Sequence, residues 1–182
     1  MSGREEPGVA DLAMRLQAIA KNCGSRAKAA AYGLPAGFGH VDDVIVLLQP
    51  FVLATAEKYE VALESTLQRV AEKNFLTGSQ AIGEGGIAAA LVCGCAPHGF
   101  GFHAALTEAE GASAEDALFR ERHNCALVSA RPKAHLPLTN FVERGGQFTA
   151  EAIGRVTARD VRVQWMGETL LVAEHLRLRQ NC

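Results

Sequence analysis

The sequence has no long apolar run, no concentration of basic residues and few aromatic side chains. Its 182 residues contain no apolar stretch of the roughly 18 to 20 residues that a membrane-spanning helix needs. The 18 lysines and arginines are scattered, and the net charge is −2, so no nucleic-acid-binding surface is predicted. Residues 1–7 are acidic and lack the apolar segment of a signal peptide. We therefore expect a cytoplasmic protein that binds neither a membrane nor nucleic acid.

The spacing of cysteine and histidine does not match a metal site. Five cysteines, an odd number at irregular intervals, predict reduced thiols. Cys93 and Cys95 fall on one predicted helix, roughly 200° apart around its axis, and cannot share a metal ion. His98 and His103 flank a glycine-rich turn but form no pair with ligand spacing, which favours structural or solvated histidines. We predict no metal ligands in the isolated chain.

Composition and length predict one globular domain with an N-terminal appendage. Residues 1–41 are interpreted as a tail, a helix that ends near Asn22 with a cap at Gly24, and a linker. That helix is either a remnant of a lost domain or a partner-binding helix. Residues 42–182 form the main domain.

The main domain alternates strand and helix signals. The apolar run Asp43–Leu48 predicts a strand that is buried on both faces. Ser113, with Asp116 three positions later, predicts a capped helix start. The strict alternation from Val161 to Trp165 and the turn at Met166 predict a hairpin, and a short final helix is predicted from Glu174. The order indicates an α/β or α+β fold, with a mixed sheet and helices packed on it.

The turn from Gln80 to Gly86, followed at once by helix-forming residues, is the most informative motif. Glycines 83, 85 and 86 predict a strand-to-helix turn, at which backbone N–H groups favour an anion. The candidate anion site is Gly83, Gly85, Gly86 and Ile87. The competing interpretation is a tight turn in which glycine permits close packing.

These segments resemble the C-terminal domain of the aminoimidazole ribonucleotide (AIR) synthetase superfamily, and within it phosphoribosylformylglycinamidine synthase most of all. That family has a strand ending in His-Asp-Val-Ser-Asp-Gly-Gly before an apolar helix, where this chain has Gln80–Leu91. Its Asp-Val-Ile-Val-Leu-Leu strand resembles Asp43–Leu48, its Leu-Phe-Gly-Glu-Ser segment resembles Leu118–Arg122, and its Ile-Gly-Xaa-Val-Thr strand resembles Ile153–Thr157. The resemblance covers about residues 42–180 and implies an AIR-synthase-like mixed sheet.

The departures from the family pattern fall on polar positions. Gln80 stands for the family histidine, Ala81 for the first acid and Glu84 for the second. Arg120 and Arg122 flank the family glutamate, here Glu121. The resemblance implies that Glu84, Glu121, Arg120 and Arg122 are the candidate polar site, although solvated or helix-end charges are an alternative.

Two further residues have open interpretations. Cys125 is either a nucleophile beside His123 or a buried inert thiol. Trp165 is either a core residue or an interface anchor.

The resemblance leaves several functions open. We expect a non-catalytic structural or regulatory subunit of a larger assembly, derived from a purine-biosynthetic enzyme and working as a homo- or hetero-oligomer. One alternative is a half-enzyme that makes formylglycinamidine ribonucleotide with ATP and magnesium once a partner chain supplies the family's N-terminal ATP-binding domain. Another is a small-anion or nucleotide-binding module. No cofactor is expected for the isolated chain, and its catalytic residues are not identified.

Overall fold

The computed structural model describes residues 9–26, 34–51, 56–107 and 113–174. The helices in these ranges are α1 (Val9–Arg26), α2 (Ala56–Glu72), α3 (Gly86–Cys95), α4 (Ala114–Phe119) and α5 (His135–Arg144), with a 3₁₀ turn at Ala96–His98. The strands are β1 (Val44–Pro50), β2 (Gly78–Ala81), β3 (Gly101–Leu106), β4 (Ala126–Ala130), β5 (Phe148–Thr157), β6 (Val161–Trp165) and β7 (Glu168–Ala173). These bounds confirm the predicted elements from β1 to the closing hairpin. The N-terminal tail and the helix predicted after Glu174 lie outside the described residues.

The predicted end of the first helix is wrong. The helix does not stop near Asn22 but continues to Arg26. Its Leu16 and Cys23 are buried against the rest of the molecule, so tertiary packing extends the helix past the glycine that predicted a cap. The described residues on both sides of residue 41 share one apolar core, and the division of the chain at that point stays a prediction.

The described strands form one sheet in the order β2-β4-β1-β5-β3-β6-β7. It is mixed, as predicted, because β3 and β6 run parallel while the other pairs of described strands are antiparallel. Since β1 is antiparallel to both of its neighbours, its apolar run does not indicate a parallel sheet. It results from burial on both faces, since Ile45 and Leu47 lie in one apolar cluster and Val46 and Leu48 in the other.

The helices divide between the two faces of the sheet. The side that carries Phe102, Leu127 and Ile153, here called the first face, packs against α1, α3 and α4. The opposite side, the second face, packs against α2 and α5 through residues of β1, β4 and the start of β5, such as Val128 and Phe148. The second face is thus covered at one end of the sheet and exposed at β3, β6 and β7, where Ala105, Arg162 and Val172 are exposed.

Candidate functional site

The glycine turn between β2 and α3 is held by close contact with α4. Gly85 is the N-cap of α3 with φ +84°, and Gly86 has φ +63°, a region that side chains rarely adopt. A Cβ on Gly86 would lie 2.6 Å from the Leu118 carbonyl oxygen and 2.7 Å from that of Arg120. Gly83 has open space around its Cα. Glycine is therefore required at position 86 for both conformation and packing.

The N–H groups of this turn are partly engaged. The N–H of Gly86 donates to the Gly83 carbonyl at 2.9 Å, and the carbonyl oxygens at the end of α4 lie against Gly86. Carbonyl oxygens repel an anion, so this geometry favours the packing interpretation over an anion cradle. The anion site at Gly83, Gly85, Gly86 and Ile87 stays a prediction.

The charged candidate residues near α4 differ in their exposure to solvent. Ser113 caps the helix as predicted, accepting the Asp116 N–H at 3.1 Å. Beyond the last turn, Arg122 donates to the Ala117 carbonyl at 3.3 Å, which complements the C-terminal end of the helix dipole. Arg122 is half-buried, whereas the other charged candidates are exposed: Glu84, Arg120 and Glu121.

Arg122 reaches a polar cavity that the sequence did not predict. The cavity measures about 30 Å³ and lies on the first face, between the sheet and helices α3 and α4. Its polar lining is Gln49 of β1, Thr107 after β3, Glu151 of β5 and Arg122. Thr107 donates to a Glu151 carboxylate oxygen at 3.2 Å. Ile87 also lines the cavity, so the structure brings together two candidates from different motifs, Ile87 and Arg122.

The electrostatics of the cavity are those of a half-buried cation beside a carboxylate. Burial lowers the pKa of Arg122, and the negative charge of Glu151 opposes that shift, as would a Cys125 thiolate at high pH. Arginine remains charged at any physiological pH. A space of this volume holds about one or two water molecules. Chemically, Arg122 and Glu151 can bind water or a single polar atom that enters from the rim.

Cys125 is an inert thiol rather than a nucleophile. Burial raises its pKa to about 11, and its Sγ donates to the backbone carbonyl of His123 at 3.4 Å. The thiolate population at neutral pH is therefore very small. Trp165 packs partly buried against the first-face core, which favours the core interpretation.

A buried aspartate forms a second polar cluster that the sequence analysis missed. Asp43 is 1% exposed, and one of its oxygens accepts the Thr77 hydroxyl at 2.6 Å and the His40 N–H at 3.0 Å. Thr77 also bonds Ser129 at 2.8 Å. An aspartate directly before a buried strand was the available signal, because such a carboxylate needs partners from elsewhere.

The ring of His40 completes this cluster. Its Nε2 lies 3.2 Å from Nη2 of Arg131, and its Nδ1 lies 3.4 Å from a carboxylate oxygen of Asp43. The cluster therefore joins the segment before β1 to β4.

The prediction that all cysteines are reduced is wrong. Cys23 of α1 and Cys93 of α3 form a disulfide, with Cα atoms 5.3 Å apart. Spacing along the chain could not predict this pair because α1 crosses α3 only in the folded molecule. Cys95 is buried, donates to the Gly101 carbonyl at 3.3 Å, and has its pKa raised by burial. The cytoplasmic location stays a prediction.

The histidines do not converge. His98 is exposed and lies against Phe100 with ring centres 5.3 Å apart, while His103 lies on the second face. In the described ranges, no three histidine, cysteine or acidic side chains are grouped to hold a metal ion. Within those same ranges, no helix combines the length and apolarity needed to cross a bilayer.

No protein-family model matches the chain. Over 119 residues it is 29% identical to phosphoribosylformylglycinamidine synthase subunit PurL of Tropheryma whipplei (strain Twist), and the same subunit of strain TW08/27 gives the same values. The match covers 57% of this chain but 16% of those relatives, so the chain corresponds to a small part of their length.

Solved structures show the same relationship in three dimensions. PurL of T. maritima complexed with ADP superimposes with a TM-score of 0.70 at 15% identity, over 80% of this chain and 26% of that one. Hydrogenase maturation protein HypE in complex with ATP gives a TM-score of 0.55 at 13% identity, over 79% of this chain and 55% of that one. At these identities the structures establish the fold alone. The chain therefore has the AIR-synthase-like fold, a mixed sheet with helices packed on it, and it resembles phosphoribosylformylglycinamidine synthase in both sequence and fold.

Proposed function

We propose that this chain is a structural or regulatory subunit, without catalytic activity of its own, in an assembly related to phosphoribosylformylglycinamidine synthase. The observation that carries the proposal is the loss of polar side chains from the glycine turn, where Ala81 and Gly83 stand at positions that are polar in the family. The last glycine, Gly86, is kept and packs against the Leu118 and Arg120 carbonyls at the end of α4, as the fold requires.

The side chains of the same turn support this proposal. Transfer of a phosphoryl group from ATP depends on metal ions and charges placed around the reacting oxygens. Ala81 and Gly83 carry no group that could bind a metal or a substrate, and Glu84 is exposed to solvent. The apolar and glycine positions that build the fold are kept, whereas the polar positions that chemistry would use are changed.

The small size of the cavity beside Arg122 also supports a chain without catalytic activity of its own. Pockets for small molecules and cofactors have volumes of about 300–1,000 Å³. The cavity of about 30 Å³ is smaller by a factor of ten and suits water. A ribonucleotide bound near Arg122 would have to lie outside this cavity, against a surface that a second protein completes.

Assemblies among the structural neighbours support dependence on a partner. The fold neighbours include PurLQS from Thermotoga maritima and the HypE–HypF complex, with TM-scores of 0.70 and 0.56. We propose by analogy that this chain also works in a homo- or hetero-oligomer, in which a protein partner supplies or replaces the ATP-binding domain of the family. The cytoplasm, where purine nucleotides are made, is the location that fits this proposal.

An activity assay on the purified chain tests the proposal. The chain is incubated with ATP, magnesium, formylglycinamide ribonucleotide and ammonia, and ADP release is followed. The expected rate equals the rate without protein. A rate above that blank which disappears in an Arg122→Ala variant would overturn the proposal, because a contaminating ATPase would not respond to this substitution.

A half-enzyme is the second candidate, and the resemblance to PurL over 119 residues favours it. In that case ATP and magnesium would bind once a partner chain supplies the missing nucleotide site. The assay is repeated with an added ATP-binding domain taken from a PurL relative. Turnover that requires both chains supports the half-enzyme, whereas turnover absent from the mixture supports the non-catalytic subunit.

A further inference from the structure

Three basic side chains stand in register across neighbouring strands on the second face. His103 of β3 pairs with Arg155 of antiparallel β5 and with Arg162 of parallel β6. Side chains alternate along a strand, and Phe102 and Ala104, on either side of His103, are buried in the first-face core. His103 and its two arginine partners therefore point together to the opposite side of the sheet. We call these three residues the basic row.

The basic row lies on the part of the second face that the described helices leave open. Arg155 and Arg162 are exposed, and so are Ala105 next to the row and Val172, the β7 partner of Arg162. Helices α2 and α5 pack on the same face over β1, β4 and the start of β5. Strands lie about 4.8 Å apart, so β5, β3, β6 and β7 offer a surface about 15–20 Å wide.

The row concentrates positive charge on one part of the sheet. Arg155 and Arg162 are charged at any physiological pH, and within the described part of the chain neither has a carboxylate within ion-pair distance. Burial, Arg155 and Arg162 lower the pKa of His103, and Asp160 opposes that shift. Protonation of His103 would place a third positive charge directly opposite both arginines, an arrangement that destabilises a sheet. An anionic group placed over the row would compensate these charges.

We infer that the basic row is a docking surface for an acidic patch on a protein partner. This inference rests on the proposed function and specifies which surface of the subunit binds and what chemistry it recognises. The open sheet face suits a macromolecular surface better than a small anion, which needs an enclosing pocket. A second copy docked by the same face about a two-fold axis would bring two basic rows together, so an acidic partner fits better than self-association.

Nucleic acid fits this surface poorly. Proteins that bind DNA through its backbone use about 6–10 phosphate contacts, whereas the row offers two permanent cations on a chain of net charge −2. Carboxylates of a partner protein need fewer cations, because each guanidinium can hold one carboxylate with two parallel hydrogen bonds.

Titration of His103 gives the surface a pH dependence. The charged groups that face His103 are Arg155 on β5, Arg162 on β6 and Asp160 just before β6. Since its pKa is lowered, His103 is neutral at pH 7 and gains its proton only below its ordinary value of 6.5. Binding of carboxylates should therefore tighten as the pH falls below 6.5, as long as the partner's own carboxylates stay ionised.

The test uses the full chain and a fluorescein-labelled peptide of ten glutamates, with binding followed by fluorescence anisotropy at low salt. The variant Arg155→Gln/Arg162→Gln is expected to weaken binding about fivefold or more. The matched control Lys133→Gln/Arg144→Gln removes the same charge from exposed positions around α5 and should weaken binding less than about twofold. Arg155→Lys/Arg162→Lys retains the charge but not the two parallel hydrogen bonds, so its affinity should lie between those of the unmodified chain and the glutamine variant. Recovery above the glutamine variant shows that the lost charge, and not misfolding, causes the loss.

Three results would overturn the docking surface. They are an equal loss of affinity in both glutamine variants, no peptide binding by the unmodified chain, and tighter binding of a labelled 20-base-pair DNA duplex than of the peptide. None of these measurements involves ATP turnover. Failure of the docking surface is therefore distinguished from failure of the non-catalytic function, which the turnover assay measures.

Discussion

Arg15 of α1 holds Glu115 of α4 through two hydrogen bonds of 2.7 and 2.8 Å. The guanidinium carbon of Arg15 also lies 3.5 Å from the centre of the Phe119 ring, so the same side chain makes an ion pair and a cation–π contact. These contacts join two helices whose residues are 100 positions apart in the chain. They attach the N-terminal helix to the short helix whose end supports Gly86, and so connect the appendage to the glycine turn.

The ion pair predicts a pH-dependent contribution to stability. The hydrogen bond from Arg15 lowers the pKa of Glu115 below its ordinary value of 4.5. A lowered pKa stabilises the folded state fully above the unfolded value, and this contribution is lost as the pH falls through the folded value. Since the Glu115 side chain is 48% exposed, we expect Glu115→Gln to reduce the free energy of unfolding by about 0.5 kcal/mol at pH 7.

Denaturant unfolding at pH 7 and below pH 3 measures this effect. The difference between Glu115→Gln and the unmodified protein should vanish at the lower pH. Glu168→Gln, which removes an exposed acid at the start of β7, is the control and should show no such loss. A difference that persists unchanged at low pH would show that the glutamate acts by packing and not by its charge.

Replacement by alanine should destabilise the protein strongly at Gly86 and very little at Gly83, although both glycines lie in one turn. Gly86→Ala forces a side chain into φ +63° and against two carbonyl oxygens, so we expect a loss of more than about 2 kcal/mol in the free energy of unfolding. Gly83→Ala meets open space and should change stability by less than about 0.5 kcal/mol. Chemical denaturation of both variants checks this contrast, and equal losses would contradict the packing role of Gly86.

Neighbouring aspartates provide a similar contrast. Asp43→Asn removes the charge of a buried carboxylate that accepts bonds from Thr77 and His40, and we expect a loss of about 1–2 kcal/mol. Asp42 is exposed with φ +68°, a conformation that asparagine tolerates, so Asp42→Asn should be nearly neutral. Urea titration gives the free energy of unfolding of each variant and tests this contrast. A neutral Asp43→Asn would mean that the polar cluster does not hold the segment before β1.

Local signals in the sequence predicted most of the elements. Apolar runs placed β1, the serine cap placed the start of α4, and strict alternation placed the hairpin from Val161, because each signal depends on residues a few positions apart. The mixed sheet was predicted correctly, but the parallel pair β3–β6 was not, since strand order depends on contacts between distant segments.

The candidate site was predicted only in part, for the same reason. Arg122 and Ile87 drew attention through motifs, whereas Gln49, Thr107 and Glu151 are single polar residues in or just after three separate strands. Nothing in their local sequence distinguishes them from solvated surface residues. They become a cluster only when β1, β3 and β5 are aligned. The disulfide was missed likewise, since Cys23 and Cys93 are 70 positions apart.

The disulfide links α1 covalently to α3, and we expect this link to stabilise the protein under oxidising conditions. A cross-link between residues this far apart stabilises by restricting the unfolded chain, typically by about 2–4 kcal/mol. We expect the variant Cys23→Ala/Cys93→Ala to have a free energy of unfolding that is lower by that amount, and peptide mass mapping of the unmodified protein to find the Cys23–Cys93 cross-link. A reductant should destabilise the unmodified protein and leave the double variant unchanged, since the variant has no such bond to lose. If the reductant affects both proteins equally, or no cross-linked peptide is found, α1 is held by the Arg15–Glu115 pair and apolar packing alone.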